Sequence, residues 1–261
     1  MRIVVVLGRV LDPAGIVVNA RAGRVFVNRE EYLLQPADRC ALEAALRVKD
    51  ELGAEVVALP RSPLPDDDIL RQALALGVDR AIYLTGEGLR QADDAAMARA
   101  LKAAIERLGG ADLLLTGATT LDSGQTQLGP RLAEALGWPQ VTAVWSLKVA
   151  DGRAQVVRQQ GGQYVLVEAT LPAVVTLQPG SLKLRYPDGA RLVNIYKNVG
   201  EIAQALETWD AVELVGEPLA PLVEGRGRDF PPPRERGARA AGSAAEMAQA
   251  AAAALRQRVG R

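Results

Sequence analysis

The chain has 261 residues, 49% of them hydrophobic, which suits one large domain or one domain with an extension. Its 31 basic and 31 acidic side chains cancel, so no overall field draws it to nucleic acid or to an anionic membrane. It contains no histidine, which removes the usual general base near neutral pH, the Ser/His/Asp triad and most zinc sites, and a single cysteine, Cys40, excludes an intrachain disulfide.

The opening MRIVVVLGRV holds an apolar run of only about six residues, too short for a signal segment or a membrane span, and a cytoplasmic chain is expected. RIVVVLG (Arg2 to Gly8) reads as a strand covered on both faces. IVVNARAGRVFVN (Ile16 to Asn28) reads as a hairpin, two β-branched runs around Ala-Gly. In ADRCALEAALRVKDELG, Ala41, Ala45, Val48 and Leu52 recur at helical spacing and Gly53 stops the helix. EVVAL (Glu55 to Leu59) is a second buried strand. A helix follows, capped by Asp66 or a neighbour, with Ile69, Ala73 and Leu76 on one face and Gly77 at its end. RAIYL (Arg80 to Leu84) is a third strand, and Met97, Leu101, Ala104 and Leu108 line the next helix. DLLLT forms a fourth strand, and QLGPRLAEALG the helix after it.

This alternation predicts an α/β fold: a Rossmann-like parallel sheet with helices on both faces. Beyond residue 140 the segments are strand-rich and punctuated by Asp-Gly and Gly-Gly, which predicts added antiparallel hairpin strands. After Asp210 the strand pattern stops. EGRGRDFPPPRERG reads as a linker and SAAEMAQAAAAALRQRVG as a terminal helix, giving a nucleotide-binding domain over 1–210 and a C-terminal arm over 211–261 with too little apolar content to pack alone, expected to pack on a partner subunit or remain mobile.

Ligands of such sheets sit at the carboxyl ends of the strands, so the loops after Leu7, Leu59 and Leu115 matter most. TGATTLDSGQTQLGP (Thr116 to Pro130) leaves a strand, turns at Asp122, Ser123 and Gly124, and enters a helix near Gln127. Its amides and hydroxyls, with the helix terminus, suit an anion; the same residues also make ordinary turn and cap chemistry. The loop matches neither the Walker nor the dinucleotide glycine pattern. Asp66, Asp67 and Asp68 suit a helix start better than a metal site, and Cys40 suits packing better than nucleophilic attack. Arg9 and Asp12 follow the first strand, where they can meet a ligand or each other. No catalytic constellation and no metal site emerges, so any chemistry belongs to a bound cofactor or a partner.

Several segments resemble the β subunit of electron transfer flavoproteins. VVVLGRVLDP resembles that family's first strand and its K-R-V-x-D turn, with Gly8 where Lys is usual. LLQPADRCALEAALRVKD resembles N-P-F-x-E-x-A-x-E-E-A-x-R-L-K, and ILRQALALGVDRAIYL resembles A-L-A-M-G-A-D-R-A and its strand. DLLLTGATTLDSGQTQLGPRLAEALGWPQVT is similar, almost without gaps, to D-L-I-L-x-G-x-x-x-x-D-x-x-x-x-Q-x-G-P-x-L-A-E-x-L-G-x-P-Q. LPAVVT, RYP and the late PPPRERG with its final helix extend the likeness over nearly the whole chain.

The resemblance implies an electron carrier rather than an enzyme, paired with an α subunit that holds most of an FAD. It implies AMP, or a second FAD, in this subunit, contacted by Val6, Gln35, Pro36, Ala37, Asp38, Arg61, Gly117, Asp122, Ser123, Gly124, Gln125, Thr126, Gln127 and Leu128. Arg9, Pro13 and Gln159 would lie near the α-subunit flavin. Ser181, Leu182, Leu184, Arg185 and Tyr186 would meet dehydrogenase and quinone-reductase type redox partners. The departures are Gln35-Pro36-Ala37 for Asn-Pro-Phe, Pro13 for an aromatic residue, Gln159 for an acidic one, and Arg61 for a small or thiol-bearing one. Arg61 would either pair with a phosphate or lie on the surface. Ser181 stands where family members that serve acyl-CoA dehydrogenases carry an anchoring leucine, leaving Leu182 or Leu184 to substitute. The alternative reading is a regulatory or scaffolding protein that kept the fold and the nucleotide without electron transfer.

Overall fold

A computed structural model describes residues 1–63, 67–223, 230 and 239–259. The elements run β1 (Arg2–Leu7), β2 (Arg9–Leu11), β3 (Ile16–Asn19), β4 (Arg24–Val27), β5 (Tyr32–Leu34), α1 (Pro36–Leu52), β6 (Glu55–Pro60), α2 (Asp68–Leu76), β7 (Arg80–Thr85), α3 (Asp94–Arg107), β8 (Leu113–Gly117) and α4 (Leu128–Leu136). There follow β9 (Gln140–Ala150), β10 (Arg153–Gln160), β11 (Gln163–Thr170), β12 (Ala173–Leu177), α5 (Gly189–Tyr196), α6 (Glu201–Gln204), β13 (Leu206–Asp210), α7 (Ala211–Val215) and α8 (Ala244–Val259).

Nine strands form one sheet in the order β11-β10-β9-β12-β8-β1-β6-β7-β13. From β12 to β13 every pairing is parallel. The continuous apolar run of β1 follows from its place at the centre. Ile3, Val5 and Leu7 join the core under α1 and α2, while Val4 and Val6 join the core under α3 and α4, all fully buried. α1 starts at Pro36, which needs no N–H in the first turn, and stops at Gly53 in the left-handed conformation.

β9 belongs to two systems. It starts parallel to β12, with Val174 beside Gln140, bends at Ala143 (φ 60°), and continues antiparallel to β10. The Asp151-Gly152 and Gly161-Gly162 turns each place two residues at positive φ, which matches the twist of the hairpins they close.

Three features differ from the sequence reading. LETWD (Leu206–Asp210) is a strand, parallel to β7 at the sheet's edge, although it lacks the apolar run of a buried strand; only Trp209 among its residues is buried. The packed body runs past Asp210, since Ala211 of α7 and Leu219 are buried. Asp67, a neighbour of Asp66 as expected, stands at the α2 start, but its carboxylate pairs with Arg71 (2.8 Å) instead of capping the helix. Asp66 lies outside the described residues, as does most of EGRGRDFPPPRERG. Among the described residues no group of acidic or cysteine side chains could hold a metal, and no helix is long and apolar enough to cross a membrane.

The described chain falls into two compact units, one containing the sheet and its helices, the other the tip at 20–24 and the C-terminal segment. In the latter, α8 is opened by a capping box in which Ser243 N–H donates to Glu246 (2.7 Å) and Glu246 N–H to Ser243 Oγ (3.4 Å).

Candidate functional site

Chain order gives β1, β6 and β7 on one side and β8 and β12 on the other, so the sheet reverses between β1 and β8. The crevice outside the carboxyl ends of these two strands is where open α/β sheets place ligands. Gly8 leaves β1 here and Gly117 ends β8. Both amides donate to Asp38, Gly8 to Oδ2 (2.9 Å) and Gly117 to Oδ1 (2.8 Å). Asp38 lies in the first turn of α1 and is fully buried.

Arg61 meets the same carboxylate from the end of β6. Its Nε lies 3.1 and 3.2 Å from the two Asp38 oxygens, and Nη2 donates to Asp38 Oδ1 (3.1 Å), Thr116 Oγ1 (2.7 Å) and the Gly117 carbonyl (2.5 Å). With 5% of its surface exposed it is not the surface arginine allowed by the sequence. Burial pushes the Asp38 carboxyl above its ordinary range, and the Arg61 guanidinium and the two amides pull it back. Gly117 is required by contact: a Cβ there would lie 2.6 Å from Ala37 Cβ, 2.8 Å from the Asp38 amide, and against Asp38 Oδ1.

Gln35 precedes α1 and bridges two segments. Its N–H donates to the Gly8 carbonyl (2.9 Å), and its side-chain oxygen accepts from Leu121 N–H (3.0 Å). Val6 and Leu128 are core residues, fully buried in the same cluster. The loop after β8 folds on itself. Gly124 N–H donates to the Thr120 carbonyl (3.1 Å), Gln125 N–H to Thr120 Oγ1 (3.1 Å), and Ser123 N–H to Asp122 Oδ1 (2.7 Å). From sequence the turn is expected to present its amides and hydroxyls toward an anion; here the amides of Ser123 and Gly124 donate within the loop itself. Burial works against ionisation of Asp122, but hydrogen bonds from Thr120 and Ser123 hold its carboxyl below the usual range, keeping a negative charge on the rim.

Beside this loop lies a cleft of about 370 Å³ lined by Asp93, Asp94, Gln125, Gln127 and Arg131. Gln127 Oε1 accepts from Arg131 Nη2 (2.9 Å) one helical turn on. Burial pushes the Asp94 carboxyl up, while Arg61 and Arg131 pull it down, so this cleft feels the crevice electrostatically. Arg131 and Asp94 were not singled out from the sequence. The i,i+4 spacing of Gln127 and Arg131 was the signal available for the first; Asp94 carried none beyond a helix start. A second cleft of about 360 Å³ opens on the other flank of the loop, between Thr119, Thr126, Thr142, Thr176 and Gln178.

The remaining sequence-marked residues lie elsewhere. The Arg9 guanidinium stacks on Tyr32, 3.8 Å from the ring centre, and Pro13 opens an exposed 3₁₀ turn capped by Asp12. Gln159 is exposed on β10 opposite Tyr164 of β11. In the segment after β12, Leu182 and Leu184 are partly buried and pack against the α1-side core. Cys40 Sγ donates to the Leu182 carbonyl (3.3 Å), a packing role. Arg185 is tied to Glu43 (3.1 Å) and Asp50 (2.9 Å), whereas Tyr186 is 86% exposed. Ser181 Oγ is buried without a hydrogen-bond partner among the described residues.

Comparison with known proteins gives a consistent picture. Residues 24–198 match the electron transfer flavoprotein domain. The chain is 32% identical over 198 residues to "Caffeyl-CoA reductase-Etf complex subunit CarD" of Acetobacterium woodii, covering 76% of each chain. It is 30% identical over 225 residues to "Acryloyl-CoA reductase electron transfer subunit gamma" of Anaerotignum propionicum, covering 85% of this chain and 82% of the other. It is 30% identical over 250 residues to "Electron transfer flavoprotein subunit beta" of Bacillus subtilis, covering 95% of each.

Proposed function

Because the chain belongs to the electron transfer flavoprotein family and matches its β subunits along most of its length, we propose that it works as the β-type half of an electron carrier, binding an adenine nucleotide in the β1/β8 crevice. The nucleotide is AMP or a second FAD. A partner subunit of α type holds the main FAD, and this chain helps to enclose it near Arg9, Pro13 and Gln159. The flavin, when bound, supplies the redox chemistry.

The observation that carries this reading is the crevice itself. It stands at the reversal of strand order, where Gln35 and Asp38 from the start of α1 and Arg61 from the end of β6 meet Gly117 and the self-bonded loop that follows it. The donor set on its flank fits a nucleotide. Gln127 sits at the start of α4, where helix amides favour an anion, and Arg131 supplies a cation within the same cleft. These residues bind and orient; none is placed to break a bond.

For docking of redox partners we favour reductase-type proteins over acyl-CoA dehydrogenases. Two relatives carry names of CoA-ester reductase complexes, and the segment from Leu177 to Tyr186 offers Lys183 and Tyr186 to solvent in place of a leucine anchor. The test is to co-purify the chain with its α-type partner, denature the complex and quantify the nucleotides released. FAD together with AMP supports a simple carrier. FAD alone, in twice the amount, supports a second flavin in this chain. A stable complex that releases no flavin overturns the carrier reading in favour of a regulatory or scaffolding role.

A further inference from the structure

We propose that Arg61 is a positioning residue of the nucleotide site: locked to Asp38 where β1 and β8 end, it fixes the loop that follows β8, without itself binding the phosphate. The inference rests on the nucleotide-binding reading above and assigns roles within it.

Three observations carry it. In open α/β sheets the amides at the point of strand reversal receive the ligand's anionic group. Here the amides of Gly8 and Gly117 already receive a carboxylate, that of Asp38, so the protein supplies its own anion at that position. Second, Arg61 is buried, and its Nε and Nη2 donate to both Asp38 oxygens, Thr116 Oγ1 and the Gly117 carbonyl. A buried cation with several charge-assisted hydrogen bonds of this kind stays in place, since breaking one leaves a charge unpaired in the interior. Third, the backbone is shaped around the pair. A Cβ at Gly8 would lie 3.1 Å from Arg61 Cβ and Cδ, and one at Gly117 would meet Asp38 and Ala37.

The pair thus ties the ends of β1, β6 and β8 to the first turn of α1. The loop from Ala118 to Gln127 starts from Gly117, which is held on both its N–H and its carbonyl. Gln35, three residues before Asp38, catches the same loop at Leu121. Loosening Arg61 therefore loosens the surface on which any part of the nucleotide rests, and adenosine should feel it as much as AMP.

The test compares AMP and adenosine by titration calorimetry on the full chain and on Arg61→Met and Arg61→Lys, each freed of co-purifying nucleotide. Hydrogen exchange over residues 117–127 is followed in parallel. Arg61→Met should weaken both ligands by a common factor of about tenfold, the scale of a lost charged hydrogen bond, and speed exchange in the loop. Arg61→Lys should restore part of both. Loss of AMP binding with adenosine unchanged would make Arg61 a phosphate ligand and overturn the proposal. Unchanged affinities with only a lower melting temperature would overturn it too. If the wild type binds neither ligand, the nucleotide reading fails; loop exchange then decides alone, and unaltered exchange in Arg61→Met rejects the positioning role. Should Arg61→Met not fold, Asp38→Asn, which keeps the shape and removes the charge, is measured the same way.

Discussion

At Glu43, the α1 carboxylate is almost fully buried and receives the Arg185 N–H (3.1 Å), the Arg185 side chain (3.1 Å) and Arg47 (2.9 Å). Burial alone would raise its pKa, but these donors hold it below the usual carboxylate range. With a folded value below the unfolded one, the pairing stabilises the fold above the unfolded pKa and that stabilisation is lost as pH falls through the folded value. Urea unfolding between about pH 7 and about pH 3 should therefore show the wild type losing more stability than Glu43→Gln on the acid side. Parallel curves would show that the pair contributes nothing. A second residue-scale expectation concerns Gly117. Gly117→Ala must displace Ala37 or Asp38 and should cost about 1–3 kcal/mol, read from the denaturant midpoint at constant slope. Gly8 and Arg61 also explain each other. Both depart from the pattern this chain resembles, and in space they touch, the missing side chain of one making room for the other.

The segment from Leu177 to Tyr186 is the element where packing and docking separate. Leu182 and Leu184 are turned into the core, and Cys40, Glu43 and Asp50 of α1 hold the segment from below. Leu182→Ala should lower stability by about 2 kcal/mol, less than a fully buried leucine at the upper end of the range, as measured by thermal or urea unfolding. Tyr186→Ala should leave stability within about 0.5 kcal/mol and instead weaken the complex with a redox partner, measured by titration of the two proteins. Equal effects on stability would remove the distinction. The periodicity of the sequence made most elements readable, because buried helices and strands must repeat their apolar residues at fixed spacing. Leu206–Asp210 escaped because its burial comes from one neighbour strand and a single tryptophan, which leaves no run to see. At the site, Gln35, Asp38 and the loop around Asp122 were visible through family resemblance and turn chemistry. The Asp38–Arg61 pairing was not, since it joins the first turn of α1 to the end of β6, and no sequence spacing relates the two.

On the scale of the whole molecule, burial is uneven along the chain. The sheet and its helices hold the buried core, whereas the side chains of α8 from Ala244 to Gln257 are exposed, including Met247 and Leu255. An isolated helix of this length is marginal in water, so it needs an external surface to be lasting. Deleting residues 239–261 should leave urea unfolding of the body unchanged within about 0.5 kcal/mol and should weaken assembly with the α-type subunit, detected by analytical ultracentrifugation. A destabilised body would show that the arm belongs to the core.

The pairing of β13 with β7 sets a timetable for synthesis. Leu206 must find Ala81, far back in the chain, while the strands around the crevice, β1, β6, β8 and β12, are complete by Leu177. A ribosome-bound chain can thus close the ligand crevice while the outer edge of β7 still shows unpaired backbone groups, the kind of edge that recruits a stray strand. Pauses in translation before Leu206–Asp210 has left the ribosome would lengthen that exposure, and later pauses would not.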